Sequence, residues 1–222
     1  MDEFIKYLES HIGDMYVWGA QGQCVSDMSD PEKWIKSKET STANYNRAVA
    51  YMKKAAKSPL YAFDCSGLIM YYFITVKGYT KADTTANGLY SQCSNKSKLN
   101  AETLEVGDLV FIYKGSKMVH VGVYIGGGYT IEAYGRDLGV VKRKLSQGQW
   151  THQGRHPYLV KEGDEVAKVL KITSPLMRGD DIKKLQEGLN ALGYDCGSAD
   201  GICGKNTMTG VAAFVKAHGG KS

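Results

Sequence analysis

A chain of 222 residues has room for one large or two small domains, each with a real hydrophobic core. Its 43% apolar and 23% charged residues are those of an average globular chain, which excludes disordered, coiled-coil and collagen-like classes. Twenty-eight basic against 23 acidic residues give +5, enough to suit an anionic surface but short of a nucleic-acid footprint, and no apolar run nears the roughly 18 residues of a membrane span.

The chain opens with Phe4, Ile5, Leu8 and Ile12 at helical spacing and Gly13 as a stop, predicting a short helix. This stretch is charged throughout and lacks the basic start and the apolar run of a signal peptide. Residues 22–62 read as a helical insertion: SDPEKW begins one helix with Pro31 in its first turn, and Tyr45, Ala48, Val49 and Met52 stripe a second. FDCSGLIMYYFITVKG then places Leu68, Ile69, Tyr72, Phe73 and Val76 on one helical face, with Gly78 as the stop and Cys65 at the helix N-terminus. Three strand-like runs, DLVFIY, VHVGVYIG and YTIEAYG, follow between glycines, so helices precede an antiparallel sheet in an α+β pattern. The style changes near 158–168, and from Arg178 onward the chain reads helix, glycine-rich loop, helix. The predicted division is a first domain over 1–160, a linker over 161–173 and a second domain over 174–222. Up to Gly163 there are 20 basic and 16 acidic residues, and beyond it 8 and 7, so the first part carries most of the positive field.

A lone cysteine is more often a small core residue than a nucleophile. Cys65 differs because a helix N-terminus favours the thiolate, and because a histidine and a carboxylate can be brought together downstream. If Gly126 is the middle of a three-residue hairpin loop, His120 stands directly across from Glu132, with Gly122 and Thr130 on the same face and Val119, Val121, Val123 and Ile131 on the core face. The carboxylate can then hold one imidazole nitrogen and leave the other for a thiol. A cysteine at a helix start, a histidine on a strand and a polar residue on the next strand follow the order of a papain-like thiol hydrolase.

YVWGAQG, FDCSGL, VGDLVFI and HVGVYIGGGYTIEA together resemble the signature segments of the NlpC and p-sixty family of papain-like cell-wall cysteine peptidases, over Tyr16 to Ala133. The resemblance implies a fold of helices packed on an antiparallel sheet, with Cys65 as nucleophile, His120 as base and Glu132 at the third catalytic position. That family most often has His, Asn or Gln at the third position and a much shorter stretch where residues 22–62 lie, so the insertion is expected to build one wall of the substrate groove. The same resemblance makes Tyr16, Trp18, Asp64 and Ser66 substrate-contacting positions. Tyr16 reads equally as a donor to the substrate carbonyl oxygen and as a core aromatic beside Trp18.

RGDDIKKLQEGLNALGY followed by DGICGKNTMTGVAAFVKAHG resembles the small three-helix peptidoglycan-binding domain found on many wall hydrolases. Leu185, Leu189, Leu192, Val211 and Phe214 are its expected core, and the DCGSADGICG loop with the helix ends its expected ligand side. Asp195 and Asp200 fit turn chemistry rather than calcium ligation, because the loop lacks regular acidic spacing and a terminal glutamate.

Other patterns carry less. His152 and His156 are four apart, but Gly154 and Pro157 deny them a helix. Cys196 and Cys203 are too far apart for a zinc knuckle, and five cysteines without an export signal argue against a disulfide scaffold. Lys142, Arg143 and Lys144 read as a solvated face. The expected activity is hydrolysis of a stem-peptide amide of peptidoglycan, at the bond between γ-D-glutamate and the third-position diamino acid. The alternatives are an N-acetylmuramoyl-L-alanine amidase using the same residues and an inactive wall-binding protein. No cofactor and no metal are expected, the partner being bacterial peptidoglycan rather than nucleic acid or membrane, and the chain a monomer. The layout is that of a phage lysin, made in the cytoplasm and reaching the wall after release, or of a secreted enzyme if the chain is trimmed at its start.

Overall fold

The structure, a computed structural model, describes residues 1–159, 172 and 174–218. The chain divides into two compact units, Met1–Val166 and Ala167–Ser222.

In the first unit α1 (Asp2–Ser10) buries Phe4 and Leu8, while Ile12 lies past the helix and is exposed. Three short strands, β1 (Met15–Tyr16), β2 (Gln21–Cys24) and β3 (Tyr61–Phe63), form a small sheet in the order β1-β3-β2. Between β2 and β3 the expected insertion contains α2 (Pro31–Lys38), capped by Asp30 with Pro31 in its first turn, and α3 (Thr42–Lys54), capped by Ser41. Its apolar stripe closes a core of its own, in which Ile35, Ala48 and Val49 pack with Met15, Val17, Val25, Leu60 and Ala62.

The helix that follows Cys65 is α4 (Gly67–Tyr71), extended by a π-helical turn over Tyr72–Val76 in which Lys77 N–H donates to Tyr72 C=O at 2.9 Å. Leu68, Ile69, Tyr72 and Phe73 are buried as their spacing requires. Val76 departs from that expectation and is exposed, because the π turn advances less than 100° per residue and carries the stripe off its line.

After α5 (Ala86–Gln92) the chain builds a six-stranded antiparallel sheet from β4 (Ser94–Lys98), β5 (Leu109–Lys114), β6 (Lys117–Gly126), β7 (Tyr129–Gly135), β8 (Gly139–Lys144) and β9 (His152–Arg155), in the order β4-β9-β5-β6-β7-β8. The three strands expected from alternation are β5, β6 and β7; β4 (SNKSK) and β9 (HQGR) are polar, and β8 (GVVKRK) carries two adjacent valines and no alternation of apolar residues. One face of the sheet packs with α1 and α4 around Phe4, Leu68, Phe73, Phe111, Val121, Val123 and Ile131.

Two local details of β6 correct the expected hairpin. The turn is Gly127-Gly128, both at positive φ (59° and 79°), a two-residue turn rather than a three-residue loop centred on Gly126. A bulge against β5 falls at Val119, so Met118 enters the core and Val119, expected there, is 43% exposed.

In the second unit the described residues hold two of the three expected helices, α6 (Asp180–Ala191) and α7 (Lys205–Ala217), joined by a loop fixed through an Arg178–Ile202 bridge. The linker expected over 161–173 lies, apart from Ile172, outside the described residues. Leu189 is buried and Leu185, Val211 and Phe214 half-buried, but Leu192 is exposed, because it ends α6 just before Gly193 turns the chain away. Ile182, Gln186, Cys196, Cys203 and Thr207 complete the interior. Asp195 and Asp200 do turn chemistry, their carboxylates accepting Gly197 N–H and Ile202 N–H. All five cysteines are free thiols.

Candidate active site

Cys65 is presented by a turn locked on both sides. Asp64 donates its N–H to Ala20 C=O at 2.9 Å, and its carboxylate accepts Gly67 N–H (2.6 Å), Gly19 N–H (3.0 Å) and the Ser66 hydroxyl (3.1 Å). The first turn of α4 is thereby fastened to the 17–20 loop. Gly67 is required for this approach, since a Cβ there would lie 2.0 Å from Ala20 O. Burial pushes the Asp64 carboxyl up and the three hydrogen bonds oppose it. The polar atoms of Asp64 and Ser66, expected to contact substrate, are thus engaged in shaping the turn that carries Cys65.

His120 reaches the same place from β6. Its Nε2 lies 2.6 Å from Glu132 Oε2 on β7, with the two side chains 14% and 2% exposed. The Cys65 thiol is near enough to the ring to help raise its pKa, and with Nε2 held by Glu132 the nitrogen left for it is Nδ1. Burial works to lower the His120 pKa, but the hydrogen bonds and charges of Cys65 and Glu132 outweigh it and raise the imidazole to about 9. The indole of Trp150 stacks on the imidazole, centroids 5.5 Å apart and planes 16° from parallel. Gly122 makes room for both partners, since a Cβ there would stand 2.8 Å from the Trp150 ring and 3.2 Å from Glu132 Cβ.

The second oxygen of Glu132 is also used. Arg143 Nη1 on β8 stands 3.3 Å from Oε1, and its Nη2 donates to Gln147 C=O at 2.7 Å. The guanidinium lies 4.1 Å over the Tyr134 ring. Lys142 and Lys144 are exposed as expected, but Arg143 turns inward and does not belong to a solvated face, because β8 alternates and its odd residues face Glu132.

Tyr16 is buried at the end of β1, and its phenol is pushed up by burial and by the nearby Cys65, so it remains a neutral donor. Arg136, just after β7, caps its ring at 5.2 Å. Trp18 is 60% exposed, and its backbone N–H donates to Glu39 Oε1 at 3.1 Å. Glu39, buried in the insertion, also receives Arg136 through Nε (2.9 Å) and Nη2 (2.7 Å). Sequence reading missed both Glu39 and Arg136, which lie 97 positions apart in runs without a motif. A cleft of about 350 Å³ opens beside His120, lined by Arg47, Ile112, Tyr134, Arg136 and Asp137, and Arg47 Nε bonds Asp137 at 2.9 Å. The insertion therefore walls one side of the cleft. Among the described residues, no group of three or more His, Cys, Asp or Glu is arranged to hold a metal ion. His152 lies on β9, while His156 beyond it is buried, stacked on Phe73 at 4.7 Å and hydrogen-bonded to Gln92.

Residues 13–157, which include Tyr16, Cys65, His120 and Glu132, match the NlpC/P60 family. The chain belongs to the NlpC/P60 family. Residues 178–221 match a second family, described as a putative peptidoglycan binding domain. This chain is similar to a probable endopeptidase p60 of Listeria grayi, 33% identical over an alignment of 130 residues, with 50% of this chain and 24% of the relative covered. It is also similar to a bifunctional muramidase/DL-endopeptidase CwlT of Bacillus subtilis (strain 168), 32% identical over 96 residues, 42% of this chain and 27% of the relative. This chain thus spans about a quarter of the length of those curated relatives. Among solved structures, the NlpC/p60 domain of the peptidoglycan hydrolase SagA aligns at 21% identity with a TM-score of 0.41, covering 68% of this chain and 94% of that one.

Proposed function

We propose that this protein is a peptidoglycan hydrolase that cuts an amide of the stem peptide by thiol catalysis, at the bond between γ-D-glutamate and the third-position diamino acid. The observation that carries the reading is a His120 whose Nε2 is held by Glu132 at 2.6 Å and whose imidazole is raised by the neighbouring Cys65 as well. A raised imidazole beside a thiol at a helix start supplies an imidazolium through neutral pH, the partner that stabilises a thiolate nucleophile. The Cys65 sulfur attacks the carbonyl carbon, the Cys65 N–H and the protonated Tyr16 hydroxyl hold the oxygen on which charge develops, and His120 protonates the departing amine. Water, deprotonated by His120, then releases the acyl group from sulfur.

The relative named as a probable endopeptidase supports the peptide amide, and the match to a putative peptidoglycan binding domain supports the wall as the place of action, with the second unit as its tether. Mass spectrometry of digested sacculi tests the reading. New amino groups on the diamino acid support it, whereas a free L-alanine amine would identify a muramoyl-alanine amidase. Absence of any product beyond that of Cys65→Ala would leave a wall-binding protein.

A further inference from the structure

Steering the imidazole of His120 takes a single acceptor atom, yet Glu132 is a buried carboxylate with both oxygens engaged. A glutamate has three rotatable bonds and a full charge, so steering by Glu132 needs something to fix its rotamer and offset its field. Arg143 meets both needs. Its Nη1 holds Oε1 at 3.3 Å, its Nη2 is anchored on Gln147 C=O at 2.7 Å, and the Tyr134 ring supports its plane at 4.1 Å.

We propose that Arg143 is a positioning residue for the Cys65–His120 pair: it grips one oxygen of Glu132, leaves the other to His120, and offsets the carboxylate's charge. This rests on the hydrolase reading above. The charged and titratable groups around His120 are Cys65 from the α4 turn, Glu132 on β7 and Arg143 on β8, and in the cleft Tyr134, Arg136 paired to Glu39, and Arg47 paired to Asp137. Trp150 covers the remaining face of the ring without charge.

Removing the Arg143 cation leaves His120 facing an uncompensated carboxylate, so its titration moves upward from about 9. The test follows the His120 ring protons by NMR across pH, together with kcat/KM on a soluble muropeptide, in Arg143→Met, Arg143→Lys, Glu132→Gln and the double variant Glu132→Gln/Arg143→Met. Arg143→Met should raise the His120 titration by about one pH unit and lower kcat/KM about tenfold. Arg143→Lys, which keeps the charge, should recover most of the titration shift. In the Glu132→Gln background, further loss of Arg143 should lower kcat/KM by less than about threefold, because the two residues act through one contact. An unmoved titration in a folded Arg143→Met protein, or an equal penalty in the Glu132→Gln background, overturns the proposal. Should Arg143→Met fail to fold, Arg143→Lys and the double variant decide on the same criteria. The titration needs no turnover, so a protein that proves inactive on muropeptides defeats the hydrolase reading while leaving the Arg143–Glu132–His120 coupling open to measurement.

Discussion

His120 and Glu132 meet at 2.6 Å although the strands that carry them do not place them opposite each other. β6 and β7 pair Val123 with Ile131 and Tyr124 with Thr130, so the residue across from Glu132 is Gly122 and the histidine sits on the diagonal. Diagonal neighbours are within reach of long side chains, and glutamate bridges the gap. The missing side chain at position 122 is what lets Trp150 and Glu132 close on the imidazole from two sides.

The alkaline limb of activity follows from that contact. His120 is raised to about 9, and the carboxylate is one of the two partners that lift it. Glu132→Gln keeps the shape and removes the charge, so activity should fall at lower pH on the alkaline side, by about one pH unit, with the acid limb moved less. A pH profile of kcat/KM checks this, and identical alkaline limbs would separate Glu132 from the chemistry.

Gly122→Ala puts a methyl group 2.8 Å from the Trp150 ring, which must give way and take the stacked imidazole with it. The expected destabilisation is about 1–3 kcal/mol, as for overpacking elsewhere, with a loss of kcat exceeding what the unfolded fraction explains. Thermal melting alongside turnover at a temperature where the variant is folded measures the two separately.

Stability should have a plateau bounded by two histidines. Burial lowers His156 to about 4, so the folded state binds fewer protons than the unfolded one and stability is lost as pH falls from about 6.5 toward 4, by up to about 3 kcal/mol. His120 has the opposite sign: its contribution is full below about 6.5 and is lost as pH rises through about 9. His156→Gln should flatten the acid slope of Tm and leave the alkaline slope in place.

Glu39 is the link between insertion and site, accepting from Arg136 and from the Trp18 backbone N–H. Glu39→Ala leaves a mostly buried guanidinium without its carboxylate, which should cost about 3–5 kcal/mol. In Glu39→Gln, which retains hydrogen bonding, KM for a soluble muropeptide should rise more than kcat falls, since the groove wall loosens while Cys65 and His120 stay joined. A fall confined to kcat would place Glu39 in the chemistry instead.

A fragment of residues 1–166 should keep Cys65, His120 and Glu132 together and cleave soluble muropeptides as the full chain does, because the core around Phe63, Phe73 and Phe111 is complete within it. On insoluble sacculi it should be slower by about tenfold to a hundredfold, for want of the tether. Equal losses on both substrates would show that the second unit completes the catalytic fold.

What the sequence determined by itself was whatever depends on local spacing. The α4 turn with Cys65, the helices of the insertion, the alternation of β5 to β7 and the shared face of His120 and Glu132 follow from periods of 3.6 and 2 and from turn residues. The face survived a wrong loop: the two-residue turn alone would move the register by three positions, but the irregularity at Ile125, between Tyr124 and Gly126, takes one back, and a net shift of two leaves both side chains on the same face because they alternate with period two. Tertiary structure decided the rest. The bulge that exposes Val119 and the π turn that exposes Val76 are set by neighbouring elements rather than by the residues' own preferences. Arg143 beside Glu132, Trp150 over His120, and Glu39 holding Arg136 over Tyr16 join side chains 11, 30 and 97 positions apart. Such contacts leave no periodic trace, because a charge or an indole becomes part of a site only when the folded chain removes water from around it and supplies its partner.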